Sequence, residues 1–140
     1  MNQKERDLYI SKEFKDCMIN LASNPIEQIE SELPGCITDD LLINFESYYK
    51  AFIEIKSYEM SEKQLYLLNE IDKIFGEMNV EPLYIYSEED IEKSDYKNIL
   101  ESEEWNTIRR YSLEFIESMK WDLKGLNRYK QVGENIWHKE

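Results

Sequence analysis

The sequence predicts an all-α fold, a compact bundle of five to six helices forming a single domain over residues 1–140. Three observations predict it. Gly and Pro are scarce, with four and three in 140 residues, whereas sandwiches and barrels need many turn formers. Apolar side chains recur every three or four residues through most of the chain. Apolar residues make up 41% of the chain and aromatics 13%, too much for disorder. A chain this long can bury roughly two thirds of its unfolded surface, enough for a core without staples.

The elements follow in order. Residues 3–22 read as a helix, with Leu8, Phe14, Cys17, Met18 and Leu21 at helical spacing. Ser23-Asn24-Pro25 ends it and opens a short second helix, with Asn24 as N-cap and Pro25 at the first helical position. In that helix Ile26 and Ile29 are expected to face inward, and Glu27, Glu30 and Glu32 outward. Leu33-Pro34-Gly35 closes it. Thr38-Asp39-Asp40 is expected to cap a long third helix over 39–58. Its wide stripe of Leu41, Leu42, Phe45, Tyr48, Tyr49, Phe52 and Ile55 asks for a central position.

Ser61-Glu62-Lys63-Gln64 has the capping-box pattern and opens a fourth helix through Leu65, Leu68, Ile71, Phe75 and Met78. Residues 80–86 alternate like a strand, but Pro82 argues for an extended segment lying on the bundle. Ser87 is expected to cap a short acidic helix, and Asp95 to begin another short turn. The last long helix is expected over 102–123, with Trp105, Ile108, Ser112, Phe115 and Met119 inside. Arg109, Arg110, Glu114 and Glu117 are expected outside, with Arg110 pairing to Glu114. Gly125 is the expected C-cap, and the tail is expected either to form a hairpin about Gly133 or to fold back on the bundle.

The charge is strongly and unevenly acidic. The net charge is −13, a field that repels nucleic acid and anionic membrane and speeds encounter with basic partners. Between Lys15 and Lys50 there is no Lys or Arg, and seven acids fill the gap. From Ile74 to Ile108 there are ten acids against Lys93 and Lys97, whereas residues 120–140 hold five bases and three acids. Solubility alone would ask for an evenly mixed surface. The run YIYSEEDIEKSDY, residues 84–96, interleaves tyrosines with five acids. Tyr supplies rigid contact area at low entropic cost, and carboxylates steer and orient a partner. The candidate partner-binding residues are therefore Tyr84, Tyr86, Glu88, Glu89, Asp90, Glu92 and Asp95. Glu27, Glu30, Asp39 and Asp40 are the supporting set.

Catalytic signatures are absent. His138 is the sole histidine and lies at the carboxyl end, so neither a Ser-His-Asp nor a Cys-His arrangement can be assembled. Cys17 falls in an apolar stripe, where a thiol is inert. There is no HExxH, CxxC, calcium loop or glycine-rich phosphate loop, and Glu54-Ile55-Lys56 is a lone E-x-K without its preceding acid. No metal, no cofactor and no enzymatic activity are expected. Two cysteines fit a reducing compartment. The opening MNQKERDLYISKEF lacks the apolar core of a signal peptide, and nothing approaches the roughly 18 apolar residues of a spanning helix. The expected location is the cytoplasm.

With its size, its acidity and a late Trp- and Arg-bearing helix reading SEEWNTIRRYSLEFIESM, the chain resembles the small acidic helical immunity proteins of bacterial polymorphic-toxin and contact-dependent growth inhibition systems. The resemblance implies a cytoplasmic protein that binds a cognate toxin domain with a basic surface, frequently a nuclease, and blocks it. It carries no functional residue over by position. Three other classes remain open from the residues themselves: a phage-type nucleic-acid mimic that inhibits a host defence nuclease, a carboxylate-metal enzyme, and a structural or regulatory subunit.

Overall fold

A computed structural model describes residues 2–121, together with the backbone of two short strands, Lys130–Val132 and Ile136–His138. The described residues contain seven α-helices: α1 Gln3–Ala22, α2 Pro25–Glu32, α3 Ile37–Lys56, α4 Glu62–Glu77, α5 Glu88–Lys93, α6 Tyr96–Leu100 and α7 Glu103–Ser118. The all-α expectation holds. The count exceeds five to six because the turn expected at Asp95 closes into a helix of its own. A 3-10 turn at Ser57–Glu59, directly after α3, and two antiparallel ladders complete the described secondary structure. β1 (Gly35–Cys36) pairs with β2 (Tyr84–Ile85), and β3 (Lys130–Val132) with β4 (Ile136–His138). The β3–β4 pairing has the antiparallel form of the expected tail hairpin. The Gly125 cap and the hairpin tip at Gly133 lie outside the described residues.

Local chemistry sets most boundaries. Asn24 accepts the N–H of Glu27 at the head of α2, behind Pro25 at the first position. At α4 the capping box is complete: Gln64 N–H donates to Ser61 Oγ, and Ser61 N–H donates to Gln64 Oε1. Two boundaries differ clearly from expectation. α3 starts at Ile37 and has no side-chain cap, because Thr38 is buried inside its first turn and donates to the Glu81 carbonyl at 2.8 Å. α7 stops at Ser118 instead of Leu123. Lys120 adopts a left-handed φ of 56°, so that Lys120 N–H reaches Glu117 O and Trp121 N–H reaches Ile116 O. This is a Schellman closure made without glycine. It returns the Trp121 ring onto Phe52 and Phe115, at 5.9 and 5.5 Å between centroids. Finally, Gly35 sits at φ 138°, where a side chain would be strained, at the turn from α2 into β1.

α1 packs on α3 and α7, and α4 packs on α7. Phe14 lies at the centre of one core, against Phe45, Phe52 and Phe115. Phe75 links Phe45 to the buried Trp105. Edge and offset contacts of this kind add about 0.5–1.5 kcal/mol per pair beyond burial. Leu8, expected in the α1 stripe, is 63% exposed, because the buried face passes through Ile10 and side chains two residues apart point away from each other.

The largest departure is Arg109. Expected on the outer face of α7, it is turned inward and joins four elements. Its Nε donates to Ser23 O at 2.8 Å, Nη2 to Gln28 Oε1 at 3.0 Å and to Leu100 O at 2.9 Å, and Nη1 to Asn106 Oδ1 at 2.6 Å. Burial pushes its pKa down to about 10, so it stays cationic near neutrality. Gln28 completes the junction at the end of α1, donating to Leu21 O and to Asn20 O, which also accepts the Ser23 N–H. This polar anchor fixes how α2 is rotated. Glu27, Gln28 and Ile29 turn inward, and Ile26 is left 38% exposed. The inward expectation for Ile26 and the outward one for Glu27 are both overturned. Arg110 lies over the adjacent Tyr111 ring at 5.3 Å and makes no ion pair with Glu114.

Candidate interaction surface

The acidic and tyrosine-bearing segment is mounted on the bundle from both ends. At its start, Leu83 and Ile85 are buried while Tyr84 and Tyr86 are 58% and 62% exposed, the two-residue alternation of a strand. Backbone pairing with Gly35 and Cys36 holds this strand. Ile37 N–H donates to Leu83 O at 2.8 Å, beside the Thr38–Glu81 bond. At its end, Ile99 and Leu100 are buried, and the Leu100 carbonyl is one of the groups gripped by Arg109. The side chains between these anchors are therefore presented on a fixed frame.

What they present is unneutralised. Glu88, Glu89, Glu92 and Asp95 are exposed, and Asp90 is half-buried. The ion pairs among the described residues are Lys12–Glu13, Lys12–Asp16 and Lys56–Glu59, so none of these five carboxylates has one. Ser87 makes no side-chain cap. Instead, the Asp90 carboxylate accepts the Tyr86 N–H at 3.1 Å and folds the start of α5 back toward the strand. Asp95 accepts from Asn98 Nδ2 at 2.6 Å. The exposed rings of Tyr84 and Tyr86 stand nearly parallel, 6.5 Å apart and 12° between planes, a flat apolar face beside the acids.

The supporting set divides. Glu30 and Asp39 are exposed, Asp40 is half-buried, and Glu27 is 5% exposed, which removes it from any contact surface. Asp39 and Asp40 follow the turn that pairs with the tyrosine strand. From the first turn of α2, the side chain that reaches the acidic segment is Ile26. It joins Ile91, Tyr96, Glu88, Glu92 and Asp95 around an open groove of about 670 Å3. Periodicity placed it inward instead, because the rotation of α2 is set by Gln28 and Arg109.

A second concavity, about 390 Å3, lies among α1, α2 and α3. Glu13, Asp16 and Glu32 line it with Asn44, Tyr48 and Cys17. Burial, and then the charge of Asp40, push the Glu32 carboxyl up to about 7, although Asn44 Nδ2 donates to it at 2.7 Å. Burial pushes the Cys17 thiol far up, which keeps it unreactive at neutral pH. Among the described residues no three His, Cys, Asp or Glu side chains converge to hold a metal ion. No described helix is long and apolar enough to cross a membrane.

No family model, no curated protein and no solved structure matches this chain.

Proposed function

We propose that this chain is a stoichiometric protein inhibitor, an immunity protein that binds and neutralises a cognate bacterial toxin domain in the cytoplasm. The partner presents a basic surface. A nuclease is the favoured class, because a cleft that receives phosphates is already built for carboxylates. In this reading the chain makes and breaks no bonds of its own.

One observation carries the reading. Five carboxylates with no ion pair among the described residues stand beside two exposed, parallel tyrosine rings, all on a segment fixed at both ends by buried residues. Exposed acids left unpaired retain their long-range field, which raises the rate of encounter with a basic cleft by roughly 10–1,000-fold. A preformed frame limits the ordering cost on binding. Tyrosines at the centre of such a contact are common hot spots, each costing about 2 kcal/mol or more when truncated.

The test is co-expression with the C-terminal domain encoded by the reading frame next to its own. Growth arrest by that domain alone, relieved by this chain through a stable one-to-one complex, is the expected result. A chain that gives no relief and no complex contradicts the reading. Inhibition of many unrelated DNA-binding proteins would replace it with nucleic-acid mimicry.

A further inference from the structure

Among the described residues that line the groove along the acidic segment, Ile26 is the one contributed from a distant part of the sequence. It forms one apolar wall of the groove whose other walls are Ile91 and the Tyr96 ring, and Glu88, Glu92 and Asp95 stand along the rim. The groove volume of about 670 Å3 lies within the roughly 300–1,000 Å3 of pockets that enclose small ligands. An apolar floor under an acidic rim selects a ligand with a long aliphatic stem and a cationic head. Arginine has that form. Its stem packs along apolar surface while its weakly hydrated, planar head spans several carboxylates.

We propose that this groove seats an arginine side chain of the partner protein, with the stem against Ile26 and Ile91 and the guanidinium among Glu88, Glu92 and Asp95. The proposal rests on the inhibitor reading and adds the anchor that reading lacks, a contact of defined chemistry at one place on the acidic face. Lys97 also lines the groove and opposes any bound cation, so three carboxylates against one ammonium leave a net attraction for a single guanidinium.

The experiment uses the full chain, labelled for methyl and amide NMR, and three probes. N-acetyl-arginine amide has stem and charge, N-acetyl-citrulline amide the stem alone, and methylguanidinium the charge alone. The arginine probe should shift the Ile26 methyl signals and the amides of residues 91–98, and bind about tenfold more tightly than either of the others. Ile26→Ser, a change at an exposed position, should weaken it several-fold, and Glu88→Gln with Glu92→Gln should weaken it further. Equal affinity for arginine and methylguanidinium, or shifts spread over every acidic face, overturns the groove and leaves the inhibitor reading standing. Arginine binding in the groove together with no growth relief by the chain overturns the inhibitor reading, and with it the partner assigned to the groove.

Discussion

Replacing Arg109 with Met keeps the length and apolar bulk of the side chain and removes its five donors. Three of its hydrogen bonds are tertiary, to Ser23 O, Gln28 Oε1 and Leu100 O, at 2.8–3.0 Å. The fourth, to Asn106 Oδ1, stays within α7 and is exposed. The substitution leaves up to three part-buried acceptors without a donor, each costing about 1–3 kcal/mol. Against that, a cation whose pKa burial has pushed down to about 10 no longer has to be desolvated. The net loss expected is about 3 kcal/mol, a large share of the roughly 5–15 kcal/mol that holds a domain together. Urea unfolding followed by circular dichroism reads this as a midpoint lowered by roughly 1–3 M, for a slope of about 1–3 kcal/mol per M. Arg109→Lys should recover less than half of the loss, since a single ammonium cannot reproduce the fork. Hydrogen exchange should also speed up at Ile99 and Leu100, because α6 loses the donor at its end. A cost below about 1 kcal/mol, or full recovery by Lys, would refute the claim that Arg109 holds the acidic segment to the bundle.

Other outcomes follow from the same geometry. The raised pKa of Glu32 means that the folded chain takes up this proton more readily than the unfolded one. Its stabilising effect is complete below the ordinary value of 4.5 and is lost as pH rises through about 7. Between pH 8 and pH 5 the parent should gain about 1–2 kcal/mol more stability than Glu32→Gln, a figure already discounted for partial exposure; parallel pH profiles would contradict it. Ser112 is buried in the core, and among the described residues its hydroxyl has no hydrogen-bond partner. Ser112→Ala should therefore stabilise the fold, by about 1 kcal/mol, and destabilisation in thermal unfolding would show that the hydroxyl is satisfied.

The elements with local punctuation were legible in the sequence. Asn24-Pro25 and Ser61 through Gln64 carry their own caps; the alternation of residues 80–86 is readable too, although Pro82 argued for an extended segment and Tyr84–Ile85 pair as a short strand. What was not legible is polar chemistry acting between elements. Arg109 looks like a surface residue in a helical wheel, because periodicity counts apolar positions and gives no credit to a cation that satisfies three carbonyl-type acceptors on other elements. The same junction rotates α2, which is why Glu27 and Ile26 exchange their expected sides. The end of α7 was missed for a related reason. Its left-handed closing residue is Lys120, and the glycine that usually marks this turn is absent. The acids and tyrosines of the 84–95 segment were found from composition, but the groove was not, since its Ile26 wall arrives from a helix much earlier in the chain.

The most direct test of the central claim is the association rate between this chain and the proposed partner, a basic toxin domain, measured by stopped-flow at several salt concentrations. The variant for comparison is Glu88→Lys, Glu89→Lys, Glu92→Lys, at exposed positions that leave the Asp90–Tyr86 bond in place. It moves the net charge from −13 to −7, two units per reversal. With helical content unchanged, the parent should associate at least about tenfold faster at low salt, and the two rates should converge as salt screens the field. Equal rates at low salt, with an equally flat dependence on ionic strength, would contradict the claim that this surface captures its partner through charge.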